Sequence, residues 1–381
     1  MITEKPAVKI RNRGFCFPVG WITTGLKVAL TGAFFSIFSV TPASAVTWDR
    51  VTLHGYLDLE YTQATKPEGE DDPSSPGADN GSFDQHHFNL LTDIHVAPDL
   101  WVKAHVEFDH GADSELGQGG IILEYGFGEY VMREWLKFRG GKALTPYGIY
   151  NEIHDATPAF ISVSVPEMIY KSERRGGFAM MPKWITGLYA LGETPVGKRQ
   201  NNFDYVFYVG NGESVGVNEA QHDANPNKAV GGRLQYSMDD DKFMGGVSYY
   251  YGDKAVSEDN LSQNHWGYIV SLNYNAYPLN LMGEYGQSKL GSRTLYAWYG
   301  QASYALGRFT PYARYQSIDP SDNEADDFWN ALTLGLNIKA NNNLFFKFEW
   351  NDNRRGENNN DILTPGNEDF SEFRSAITIF F

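Results

Sequence analysis

Phe346, Phe348 and Trp350 alternate with Lys347, Glu349 and Asn351 near the end of this chain. Successive side chains of an extended strand point to opposite faces, so the segment presents one face of large lipophiles and one of charge. This pattern constrains the fold more than any other feature because it recurs along the chain. Val51, Leu53, Leu57, Leu59 and Tyr61 oppose Thr52, His54, Tyr56, Asp58 and Glu60. Val102, Ala104, Val106 and Phe108 oppose Lys103, His105, Glu107 and Asp109. A dry core could not take Lys347, Glu349, Arg314 and Arg233 without heavy desolvation costs. A barrel with lipid outside and water inside accepts them.

Counting such segments between turn signals gives sixteen, the least distinct lying within 177–192. Short connections (Pro98-Asp99, Arg133-Glu134, 239–241, Tyr277-Pro278, 306–308, 340–343) alternate with long polar ones (62–84, 110–120, 143–175, 211–228, 252–265, 288–294, 317–327, 352–371). The expected fold is therefore all-β: a transmembrane antiparallel β-barrel of about 16 strands with short periplasmic turns and long external loops. An even count places both termini on the periplasmic side. Aromatic residues near the segment ends, among them Tyr249, Tyr251, Tyr285, Trp350, Tyr274, Tyr304 and Phe309, fit two interfacial girdles.

Residues 1–45 read as a cleaved signal peptide. Lys5, Lys9, Arg11, Arg13 and Lys27 precede an apolar run from Val28 to Val40, and Ala43-Ser44-Ala45 is a small-x-small cleavage site. The single barrel is expected over 46–381. The only cysteine, Cys16, would be lost on cleavage, leaving no disulfide. Residues 46–381 hold 26 Lys and Arg against 46 Asp and Glu, a formal charge of −20. That balance argues against nucleic-acid partners, which require basic surfaces. A barrel of this size leaves an aqueous channel, so passive diffusion of small hydrophilic solutes and ions is the expected activity. Acidic loop residues, including Glu68, Glu70, Asp71, Asp72, Asp79, Asp319, Asp322, Glu324, Asp326, Asp327, Glu357, Asp361, Glu368 and Asp369, would concentrate cations at the mouth.

The stretch from Arg139 to Gly148 (RGGKALTPYG) resembles the passage before the constriction loop in Gram-negative porins, including those related to phosphate-selective porins. The strand ending Tyr208-Val209-Gly210-Asn211-Gly212 and the terminal Phe381 resemble the same superfamily. The resemblance implies an outer-membrane channel, a homotrimer, contact with lipid and lipopolysaccharide, and delivery by barrel-assembly machinery. It implies that Phe373, Ile377, Ile379 and Phe381 form the insertion signal. It also implies that a third loop, about 143–176, folds inward. There Glu152, Asp155 and Glu167 would face Lys137, Arg139, Lys142, Arg233 and Arg314 across the pore and set up a transverse field. Phosphate-selective members carry dense cation ladders. Here inward cations are interspersed with Asp58, Glu60, Asp93, Glu107, Glu284 and Glu349. A substrate-selective channel of the same fold, for phosphate, another anion or a nutrient, is the alternative. A sugar path would use Tyr56, Tyr250, Tyr299 and Tyr312. A plugged structural or adhesive barrel is the remaining reading.

No cofactor and no metal is expected. His54, His87, His95 and His105 share the inward face with Asp58, Asp93 and Glu107, but without tight ligand spacing. No catalytic residue is assigned either. Ser248, Ser271 and Ser303 face inward with no inward histidine in a neighbouring segment, and no G-x-S-x-G elbow occurs.

Overall fold

The computed structural model describes residues 47–65, 81–109, 120–153, 156–175, 178–197, 201–214, 227–255, 262–320, 328–356 and 369–381. The expected signal peptide lies outside them, as do Asp155 and the acidic loop residues named above other than Asp319 and Asp369.

Strands β1 (Val51–Ala64), β2 (Ser82–Ala97), β3 (Leu100–Asp109), β4 (Gly120–Arg133) and β5 (Leu136–Leu144) come first. After a long strandless segment follow β6 (Trp184–Val196), β7 (Asn201–Gly210), β8 (Ala229–Met238), β9 (Phe243–Ala255), β10 (Ser262–Ala276) and β11 (Leu279–Leu290). The last are β12 (Arg293–Tyr304), β13 (Phe309–Asp319), β14 (Trp329–Lys339), β15 (Leu344–Arg355) and β16 (Phe370–Phe380). Each pairs antiparallel with its neighbours in sequence, and β16 returns to β1, so the sixteen strands form a closed barrel. Closure leaves no unpaired edge, which is what makes a sheet viable in lipid.

The two faces follow the alternation. On β16, Ile377 and Ile379 are exposed while Ala376 and Thr378 are buried; on β14, Leu332 and Leu334 are exposed and Ala331 and Thr333 buried. Exposed Leu188, Val247, Leu272 and Trp298 extend the same apolar belt, an outer surface suited to lipid rather than water. Among the described residues no helix is long and apolar enough to cross a membrane; strands do the crossing.

The seam between first and last strands is tight. The Phe381 amide donates to the Gly55 carbonyl at 2.9 Å and the Gly55 amide to the Phe381 carbonyl at 2.8 Å. The Phe381 ring stacks against Phe88 with centroids 6.1 Å apart. Gly55 has to lack a side chain, because a Cβ there would stand 2.2 Å from the Asn89 carbonyl oxygen and 2.9 Å from the Phe381 ring.

Two connections differ from expectation. The polar loop expected at 288–294 is a two-residue turn: Leu290 pairs with Arg293, and Gly291 supplies a φ of 59°. Polar side chains there had masked strand ends that run past the membrane belt. The indistinct sixth strand starts only at Trp184, and Met180-Met181-Pro182 belongs to the preceding segment. Those methionines are apolar because they pack inside the barrel, at 1% exposure each.

Candidate functional site

The segment 145–183 joins β5 to β6, and its described residues include two short α-helices, α1 (Glu167–Tyr170) and α2 (Ser172–Arg175), and two 3-10 turns, Asn151–Ile153 and Thr157–Ala159. Most of its backbone belongs to neither helix nor strand, so its amides and carbonyls must find partners elsewhere. They find them on the inner wall of strands remote in sequence. Lys347 on β15 donates to the carbonyls of Thr157, Phe160 (2.9 Å) and Ser162 (2.9 Å), using all three ammonium protons. Two residues along, Glu349 accepts the Val163 amide at 2.8 Å. Arg314 on β13 donates to the Ser164 carbonyl at 3.0 Å. Glu284 on β11 accepts the Ile149 amide at 2.8 Å and the Tyr170 hydroxyl at 2.5 Å. Burial, followed by the Glu284 charge, pushes the Tyr170 phenol well above its usual range, which keeps it a donor. Arg374 on β16 grips Glu167 at 2.6 Å.

Apolar packing completes the attachment. Val165, Met168, Ile169, Phe178, Met180 and Met181 join one buried cluster with wall residues such as Ile269, Leu295, Ala297, Ile318, Trp329 and Ala331. These wall positions carry the one sequence signal for the docked segment: they are apolar on a face that is otherwise polar.

This arrangement redistributes the expected pore charges. Arg314 and Lys347 are each 1% exposed, and Glu167 is buried against Arg374. They hold the segment and do not face water. Tyr56, Tyr250, Tyr299 and Tyr312 are also buried, so they form no rail for a sugar. Lys142 lies at the opposite parity from Lys137 and Arg139, with its Nζ 4.6 Å from the Trp184 ring. It therefore leaves the expected basic cluster, which selected residues by type and ignored alternation. Arg139 keeps its inward place and bonds Glu129 at 2.9 Å, with the Phe127 ring 4.1 Å away. Lys137 shares its face and is half-buried. Arg233 pairs with Glu152 at 2.6 Å and so joins an expected loop acid to an expected wall base. Asp155 lies outside the described residues.

A second tie holds residues 211–214 to the wall. Glu213 receives Lys254 at 3.2 Å and the Nδ1 of His265, whose Nε2 is 2.8 Å from the Ser288 hydroxyl. Ser288, His265 and Glu213 thus stand in the order of a hydrolytic triad, which the sequence reading missed because Ser288 was placed in a loop. His265 and Ser288 are 0% and Glu213 1% exposed, so a substrate carbonyl has no approach and the three act as a clamp. Burial pushes the Glu213 carboxyl up, but His265 and Lys254 outweigh it and hold the group below the usual carboxylate range. A carboxyl lowered in the folded state stabilises that state above its unfolded pKa, and the contribution is lost as pH falls through the folded value. The clamp should therefore hold at neutral pH and fail only on acidification below the usual carboxylate range. Thermal melts against pH should show that acid step in the native chain and lack it in Glu213→Gln.

Residues 29–362 match the family model described as Gram-negative porin. No curated protein sequence is matched. The structure is similar to the anion-selective porin from Comamonas acidovorans, at 13% identity and a TM-score of 0.62, covering 87% of this chain and 99% of that one. It is similar to the outer-membrane channel DcaP of Acinetobacter baumannii, at 12% identity and 0.60, covering 89% and 100%. It also resembles the trimer form of OmpT from Vibrio cholerae, at 12% identity and 0.55, again covering 89% and 100%. At these identities the likeness is one of fold.

Proposed function

This chain belongs to the Gram-negative porins, and from that premise we propose how its channel is narrowed and which ions it favours. The protein is an outer-membrane channel for passive diffusion. Segment 145–183 is the constriction. The observation that carries this reading is its anchorage by Lys347, Glu349, Arg314, Glu284 and Arg374, which reach it from four strands.

The wall left open carries Lys103, Lys137, Arg139 and Arg233. Among the described residues, three of these four sit against carboxylates: Lys103 on Asp93 at 3.6 Å, Arg139 on Glu129 and Arg233 on Glu152. Pairing cancels most of the inner positive charge, while the chain as a whole is acidic. The channel therefore prefers cations weakly. Anion selectivity belongs to the Comamonas protein by its description; the ion pairs on this wall argue against carrying it over.

A reversal potential across a potassium chloride gradient tests the assignment, with a small cation preference expected. Strong anion selectivity that persists at high salt would reverse it and favour the phosphate-type alternative. Absence of stepwise conductance from folded protein would favour a plugged or adhesive barrel. In the same reading the chain is a homotrimer, as OmpT is in its trimer form. The start of β1 and the end of β16 lie at the rim of short turns, which faces the periplasm, and the long loops meet lipopolysaccharide. Barrel-assembly machinery reads the outward Phe373, Ile377, Ile379 and Phe381. The chain carries no catalytic activity.

A further inference from the structure

A bulge between β1 and β2 brings together a ligand set that alternation would separate. Asp58 pairs with His87 and Glu60 with Asp84, so Gln85 and His86 together oppose Leu59. An extra residue in one strand re-aims its neighbours. Here it lets two consecutive histidines share a site, with their rings stacked at 3.9 Å between centroids. One nitrogen of each ring and one carboxylate oxygen of Asp58 all lie within 4.8 Å of one another.

Asp58 supplies an independent observation. It is 0% exposed, its Oδ1 accepts the His87 amide at 2.7 Å, and its Oδ2 has no hydrogen-bond partner among the described residues. A buried carboxylate oxygen without a donor is costly unless a cation faces it. The surroundings suit one. His87 Nδ1 contacts Glu107, and His86 Nδ1 lies 3.2 Å from Glu60. Imidazoles that bind metals place their other nitrogen against a carboxylate in this way. The electrostatic neighbours are three carboxylates (Asp58, Glu60, Glu107) and two ammonium groups, Lys171 and Lys347, the latter occupied by three loop carbonyls. Charge is therefore left for a cation to balance.

We propose that Asp58, His86 and His87 form a binding site for a divalent first-row transition metal such as zinc on the inner wall of the channel. Two imidazoles and a carboxylate suit zinc, nickel or copper and are poor for calcium or magnesium, which take oxygen sets. Three protein ligands leave a coordination position for water. Tetrahedral zinc spaces its ligands about 3.3 Å apart, so closing the set takes small side-chain rotations. The site lies beside the stretch Thr157–Ala159 of the inward segment, which packs on β1 and β16. A bound dication would add positive charge beside the constriction and reduce its cation current.

The test uses the untagged, folded, full-length barrel after stripping with a chelator. Zinc chloride is titrated calorimetrically, metal content is measured after dialysis, and calcium chloride serves as the comparison. One zinc per chain is expected, with binding weakened at least about tenfold in both Asp58→Asn and His86→Gln and unchanged in Asp93→Asn. His86 is half-buried, so His86→Gln decides the matter if Asp58→Asn does not assemble. No zinc binding, binding unchanged in His86→Gln, or calcium binding as tight as zinc would each overturn the proposal.

Discussion

Lys347→Met is expected to raise single-channel conductance and its fluctuation while leaving the barrel assembled. The side chain is buried and its ammonium serves three carbonyls of the inward segment. Methionine matches its length but donates nothing, so Thr157, Phe160 and Ser162 lose a charged donor at once. Removing one member of a buried charged arrangement costs about 3–5 kcal/mol, a large share of what can hold a strandless segment in place. The barrel itself should survive, because Lys347 lends only its backbone to the β14–β15–β16 ladder. Planar-bilayer recordings, with heat-modifiable mobility on gels as the folding check, decide the outcome. Conductance unchanged from the native channel would mean that the segment does not limit the pore.

Deleting Phe381 should sharply reduce the yield of folded barrel, and Gly55→Val should do the same by a different route. The deletion removes two backbone hydrogen bonds to Gly55 and the stacking on Phe88. At about 1 kcal/mol per hydrogen bond plus part of an aromatic burial, the seam loses about 3 kcal/mol. Valine at 55 keeps the terminus but drives a side chain into the Asn89 carbonyl and the Phe381 ring. Quantifying heat-modifiable protein in outer-membrane fractions separates two causes. If only the deletion fails, the terminal residue matters as a signal for insertion. If both fail, closure of the seam is itself limiting.

The strands were legible because every one carries a lipid-facing row, and lipid tolerates no ambiguity about which side chains face it. Leu332 and Leu334 against Ala331 and Thr333 read the same way in sequence and in structure. The site was less legible, for three physical reasons. Charge on the inner face predicts polarity of surroundings but not water, and Arg314, Lys347 and Glu349 found peptide groups instead of solvent. Residue type without parity misplaced Lys142. A bulge is invisible to period-two counting, so His86 fell outside the inward set until the shift between Asp58 and Glu60 was seen. Ile269, Leu295 and Ile318, apolar on an otherwise polar wall, could have identified the face on which the segment packs.

The anchorage of segment 145–183 also fixes an order of events. The wall side chains named above that hydrogen-bond it, from Arg233 to Arg374, come later in the chain than the segment itself. Until those later strands are in place, most of its binding surface does not exist. Its carbonyls must remain hydrated until the strands from β8 to β16 that carry these side chains have aligned, and Arg374 lies on β16 itself. Contacts of such long range form late, since loop-closure entropy must be met before they contribute. If segment 145–183 is the constriction proposed above, the barrel would pass through a wide-bore stage before the segment docks.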